Sequence, residues 1–141
     1  MYKRQSYCCP PNLARMIAQL GEYAYATDGT GIYTLLYGDN RAELALEHGC
    51  AATLVQKTEY PYDGNIRFTF EDVKQNAPVT LHVRIPGWVR KGSIRLIIEN
   101  AANHQPQTWK LTREQAGTYL PIEISNPAAS TLEIDFGMRC V

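Results

Sequence analysis

Leu13, Met16, Ile17, Leu20, Tyr23 and Ala24 recur at the i, i+3, i+4, i+7 spacing that places side chains on one face of an α-helix. The pattern predicts a helix over 11–27 with that face buried. Pro11 suits a first helical position, where a missing N–H costs nothing. Asp28-Gly29 and Gly31 stop the helix, and residues 6–10 form the loop leading in. From Gly31 onward the period changes to two. Ile66, Phe68 and Phe70 share one face opposite Arg67 and Thr69, and Leu132, Ile134 and Phe136 alternate with Glu133 and Asp135. The predicted strands are 31–37, 42–46, 51–58, 65–70, 79–85, 94–99, 107–111, 118–124 and 131–136. Gly38-Asp39-Asn40, Asp63-Gly64, Pro86-Gly87, Gly92 and Asn126-Pro127 supply the turns between them.

Many short strands at this spacing mean a sandwich or a similar antiparallel architecture. No alternation of strand and helix appears, and no internal repeat. The fold class is therefore mainly β: antiparallel β-sandwich modules preceded by one α-helix. Soft boundaries near Asp28 and near Trp88–Gly92 divide the chain into 1–27, 28–88 and 89–141, the last a second sandwich module or a continuation of the first. A lone helix with a strong apolar face needs a surface to pack on, either the sheet or a domain outside this chain.

Charge and composition narrow the function classes. Fourteen basic and fourteen acidic residues in 141 give a formal net charge of zero, without the basic stripe that nucleic-acid binding demands. No apolar run approaches the ~18 residues of a membrane helix. No nucleic-acid or membrane partner is expected. Residues 1–7 are polar and basic, and the compartment stays open between cytoplasm and periplasm. The cysteines are Cys8, Cys9, Cys50 and Cys140. Adjacent cysteines rarely pair with each other without backbone strain, and four in a chain of this length is not the density of a disulfide scaffold.

The sharpest local feature is Cys8-Cys9-Pro10-Pro11-Asn12 just before the helix. Partial positive charge at a helix N-terminus favours thiolate, which is both nucleophile and metal ligand. The pair is open to three readings: zinc ligands, a nucleophile with or without zinc, or small buried hydrophobes at a helix start. Zinc usually takes four N, S or O ligands, and His48, His82 and His104 show no ligand spacing to the cysteines.

The stretch from Cys8 to Tyr25 (CCPPNLARMIAQLGEYAY) resembles the cysteine-pair segment of glycoside hydrolase family 127, the β-L-arabinofuranosidases. Residues 29–37 (GTGIYTLLY) look like the family's next strand. Gln56-x-Thr58-Glu59-Tyr60-Pro61-Tyr62-Asp63-Gly64 is similar to its Q-x-T-x-Y-P-W-D-G motif, with Tyr62 in place of Trp. Arg84-Ile85-Pro86-Gly87-Trp88 looks like its R-I-P-G-W motif, and residues 117–138 resemble the strand pair that follows. The resemblance covers about residues 6–138.

It implies that the helix is the last segment of an (α/α)6 barrel, and that β-sandwich modules follow it. It further implies that Cys8 is the catalytic nucleophile and a Zn2+ ligand, and that Cys9 is a second Zn2+ ligand. The reaction implied is retaining hydrolysis of a terminal β-L-arabinofuranoside by a zinc-held thiolate, with a glutamic acid protonating the leaving oxygen. The partners implied are a carbohydrate with terminal L-arabinofuranose and the missing upstream barrel. By the same resemblance the remaining zinc ligands, a Glu and a Cys, and the acid/base Glu lie upstream of Cys8. Glu22, Glu43, Glu47 and Glu59 sit in no motif that replaces them. The isolated chain is therefore expected to be inactive. The alternative is a stand-alone β-sandwich domain with a carbohydrate-binding or structural accessory role.

Residues 1–5 match nothing in the family and correspond to a translated sequencing-transposon end. Residues 139–141 match another frame of the same element. On this reading both stretches are non-native, the gene is truncated, and Cys140 has no function. Tyr60–Gly64 reads as a structural turn in preference to a sugar-stacking site, Trp88 as a packing residue, and Cys50 as a core or edge residue. His82, between Leu81 and Val83, faces away from the core.

Overall fold

A computed structural model describes residues 8–29, 31–46, 51–99 and 105–138. Helix α1 (Cys9–Gln19) passes into a 3₁₀ turn at Leu20–Tyr23. Ten strands follow: β1 (Tyr25–Asp28), β2 (Gly31–Thr34), β3 (Asn40–Ala45), β4 (Ala51–Thr58), β5 (Asn65–Gln75), β6 (Val79–Arg84), β7 (Lys91–Ile98), β8 (Gln107–Thr112), β9 (Tyr119–Ile124) and β10 (Ser130–Asp135). They form two sheets, ordered β1-β2-β6-β9 and β3-β4-β5-β10-β7-β8. Strands from before and after residues 88–92 interleave, since β10 lies between β5 and β7.

The alternating strands drive this arrangement. Ile32, Leu81, Val83 and Ile122 from the smaller sheet meet Leu54, Phe68, Ile94 and Leu132 from the larger one in a single apolar cluster, each at most 1% exposed. Each such side chain contributes ~1.5–3 kcal/mol on leaving water. One pairing departs from the antiparallel expectation: β2 runs parallel to β6, with Tyr33 opposite His82. The buried Thr34 hydroxyl extends that ladder by donating to the His82 carbonyl at 3.1 Å and accepting from the Arg84 amide at 3.0 Å.

Several predicted elements need correction: α1 already begins at Cys9, and β2 ends at Thr34 and not at 37. The helix does not reach residue 27. Tyr25–Asp28 pairs with Gly31–Thr34 as a hairpin, because the Asp28 carboxylate accepts the Gly31 amide at 3.0 Å and closes the turn. Strand β5 runs five residues beyond the predicted end at 70. The charged pair Glu71-Asp72 hides its alternation, and the register with β4 shifts there while Asp72 adopts a left-handed φ of 50°. Strand β7 begins at Lys91 and contains Gly92, which had looked like a turn. A Cβ on Gly92 would stand 2.3 Å from the Asp135 carbonyl oxygen, so the glycine marks a close approach of β7 to the end of β10.

Of the two surfaces offered for the helix face, the sheet is not the one that covers it. Leu13, Met16, Ile17, Leu20 and Tyr23 are 47–64% exposed, and only Ala24 is buried. Within this chain the helix projects beyond the sheets that would have to cover it. Among the described residues no helix is long and apolar enough to cross a membrane.

Candidate active site

Cys8 caps α1 and Cys9 is its first residue. Pro10 and Pro11 fit the first turn, where helical N–H groups have no partner within the helix. The Asn12 amide, the first available after the prolines, donates to the Cys8 carbonyl at 3.3 Å. Asn12 Oδ1 accepts from Arg15 at 2.7 Å, which ties the first turn to the second. Both cysteines are exposed within this chain. Their Sγ atoms stand 3.4 Å apart, at thiol hydrogen-bond distance.

Two thiols so close together suit adjacent positions on one soft metal ion. Two thiols would be at most two of the four ligands that a zinc ion usually takes. Among the described residues no group of three or more His, Cys, Asp or Glu side chains comes together, so the remaining donors would have to come from elsewhere. His82 lies on the outer face of the smaller sheet, stacked on Tyr33 with ring centroids 4.0 Å apart. His48, His104, Glu47, Cys50, Cys140 and residues 1–5 and 139–141 lie outside the described residues.

The helix and the sandwich enclose an open apolar groove lined by Met16, Leu20, Tyr23, Ala24, Leu36 and Tyr37. A charged groove lined by Lys57, Arg67, Arg95 and Glu133 lies on the six-stranded sheet and includes neither cysteine.

The turn after β4 has the character of a scaffold. Thr58 Oγ1 donates to the Asn65 carbonyl at 2.6 Å and accepts from the Tyr60 amide at 3.0 Å. The Tyr60–Pro61 peptide is cis. Tyr60 stacks on Trp88, which meets Phe136 edge-on at 5.9 Å. Tyr62 is 84% exposed. Hydrogen bonds from the Asn65 side chain and amide hold the Asp63 carboxyl below the usual range. Asp39 is lowered likewise, first by Lys57 and then by the Thr58 amide.

Sequence reasoning read segment 35–40 as a strand end and a turn and missed that it joins this scaffold to the helix. Leu35 and Leu36 amides donate to the Ala24 carbonyl at 2.9 and 3.3 Å. Tyr25 donates to Asn40 Oδ1 at 2.8 Å, and burial pushes the Tyr25 phenol up to about 12. Burial raises Tyr37 further, and its hydroxyl donates to the Arg84 carbonyl. Gln56, read only as part of a motif, is fully buried and reaches this segment from β4. A buried glutamine inside a strand pattern was the available signal, because an amide there must be hydrogen-bonded.

A two-sheet β-sandwich is entered here through a helix that carries an exposed thiol pair. Residues 31–138 match the model of the beta-L-arabinofuranosidase GH127 middle domain, and the chain belongs to that family. It is 32% identical over 136 residues to a non-reducing end beta-L-arabinofuranosidase of Bifidobacterium longum subsp. longum, covering 95% of this chain and 19% of the relative. A GH127 beta-L-arabinofuranosidase from Geobacillus stearothermophilus T6 superposes with a TM-score of 0.74 and 28% identity, over 94% of this chain and 19% of that one. A further solved glycoside hydrolase gives a TM-score of 0.75 and 30% identity, over 93% of this chain and 20% of that one. The chain thus spans about a fifth of the length of these relatives.

Proposed function

We propose that this chain is part of a retaining glycoside hydrolase that releases terminal β-L-arabinofuranose, with Cys8 as nucleophile and Cys8 and Cys9 as two ligands of a zinc ion. The observation that carries the reading is the exposed thiol pair, 3.4 Å apart at a helix start, in a chain of this family. The Cys8 thiolate attacks the anomeric carbon, and a C–S bond forms as the bond to the leaving oxygen breaks. A carboxylic acid from outside this chain donates a proton to that oxygen. Water then attacks the same carbon and gives its proton to that carboxylate. The C–S bond breaks, the thiolate returns, and two inversions leave the configuration retained. Bound zinc would hold the coordinating thiols deprotonated at neutral pH.

The chain's own contribution is to present both sulfurs on a projecting helix start. The uncovered face of Leu13, Met16, Ile17, Leu20 and Tyr23 is the surface on which the upstream (α/α)6 barrel packs. With two thiols and no acid, the isolated chain is expected to release no arabinose. The test is Cys8→Ala in the full-length parent. Loss of hydrolysis with substrate binding retained supports the assignment, and an unchanged rate rejects it.

A further inference from the structure

Neither α1 nor the 3₁₀ turn after it has a buried residue, so the helix that carries Cys8 is rooted in the sandwich at Ala24. The Ala24 carbonyl accepts the amides of Leu35 and Leu36. Ala24 leads directly into β1, which pairs with β2, so segment 35–40 shares with that hairpin the task of fixing the helix root. That segment has no strand ladder of its own before Asn40, and side chains hold its carbonyls. Gln56 Nε2 donates to the Gly38 carbonyl at 2.7 Å and lies 3.5 Å from the Leu36 carbonyl. Asn40 Nδ2 donates to the same Gly38 carbonyl at 2.7 Å, and Arg84 Nη1 to the Leu35 carbonyl at 3.0 Å. Arg84 is exposed and Asn40 belongs to the segment itself. Gln56 alone of the three is a fully buried side chain from the larger sheet.

We propose that Gln56 is a positioning residue for Cys8, locking the 35–40 segment to β4 and through it the root of the nucleophile-bearing helix. The proposal rests on the reading that Cys8 attacks the sugar. A purely structural role is separable, because Gln56 Oε1 is buried with no hydrogen-bond partner among the described residues. Gln56→Met keeps the volume and removes that orphan acceptor. The Gly38 carbonyl keeps its bond from Asn40. The sandwich should therefore melt within a few degrees of wild type while the segment loosens.

Two readouts test this. In the present chain, amide exchange at Leu35 and Leu36 should accelerate ~10-fold or more in Gln56→Met, with β5 and β10 amides unchanged. In the full-length parent, kcat should fall ~10–100-fold, the range that about 1 Å of misplacement costs, with KM nearly unchanged. Unchanged exchange at Leu35 and Leu36 overturns the proposal. So does loosened exchange with kcat intact, or a variant that no longer folds, since Gln56 would then serve the whole sandwich. Cys8→Ala, measured alongside, separates the two ideas: if it retains activity the catalytic reading falls, while the exchange data still judge the bracket.

Discussion

Replacing Ile17 with glutamate probes the uncovered helix face directly. Ile17 is 64% exposed, and Leu13, Met16, Leu20 and Tyr23 on the same face are 47–58% exposed. Full burial of such a side chain contributes ~1.5–3 kcal/mol, so with about half still in water each has roughly 1 kcal/mol left to gain. The face as a whole therefore holds on the order of 5 kcal/mol, comparable to the lower end of a domain's total stability. In the isolated chain Ile17→Glu removes little, and glutamate is a good helix former. Its stability should stay within ~0.5 kcal/mol of wild type, as for surface changes generally. The fully buried Ile94→Ala should cost ~2–5 kcal/mol. Urea unfolding followed by tryptophan fluorescence measures both. Sedimentation should show less self-association for Ile17→Glu, because it breaks a contiguous apolar patch. In the full-length parent the same change buries an unpaired carboxylate and should impair domain docking. A loss of 2 kcal/mol or more in the isolated chain would refute the reasoning, because the face would then already be packed. A neutral result in both proteins would refute it as well.

Other expectations follow from single residues. Gly92→Ala should destabilise the fold by ~1–3 kcal/mol or more in thermal or chemical melts, since its Cβ would stand 2.3 Å from the Asp135 carbonyl oxygen. The Asp39 carboxyl is lowered by Lys57 and the Thr58 amide. Its contribution is present above the unfolded value of about 3.9 and is lost as pH falls through the lower folded value. Asp39→Asn should therefore flatten the acid limb of the stability profile. The Tyr25 phenol lies at about 12, so its contribution is complete below the unfolded value near 10 and is lost as pH rises toward 12. Ultraviolet titration should show Tyr25 and Tyr37 ionising above the exposed tyrosines, and Tyr25→Phe should remove one phenol from that late group.

Strands β6, β9 and β10 were legible because they alternate, and they fall within about a residue of the pattern; β4 matches its predicted bounds with four consecutive buried residues and no alternation. The sequence misled where two signals competed. Tyr25–Asp28 continued the helical spacing, yet tertiary pairing with β2 made it a strand. Gly92 carried a turn signal but served a close backbone contact. The parallel β2–β6 pair was hidden because pairing partners 49 positions apart leave no local mark, and Thr34 extends that ladder through a side chain. The candidate site was half legible. Cys8 and Cys9 stood out by their helix-start context, whereas Gln56 was legible only as the first residue of a motif, since its bond to segment 35–40 joins residues far apart in the chain. The apolar helix face was legible as a face, but its partner was left open between the sheet and a domain outside the chain, because periodicity reports a need for a partner and not which segment meets it; within this chain the face stays exposed.

The most direct test of the central claim is peptide mapping of the full-length parent quenched during turnover of a terminal β-L-arabinofuranoside. The account predicts a single pentosyl adduct on the peptide bearing Cys8, with the sulfur as its point of attachment, and none in the Cys8→Ala variant. An adduct on a carboxylate, or product released with inverted configuration and no adduct, would contradict it.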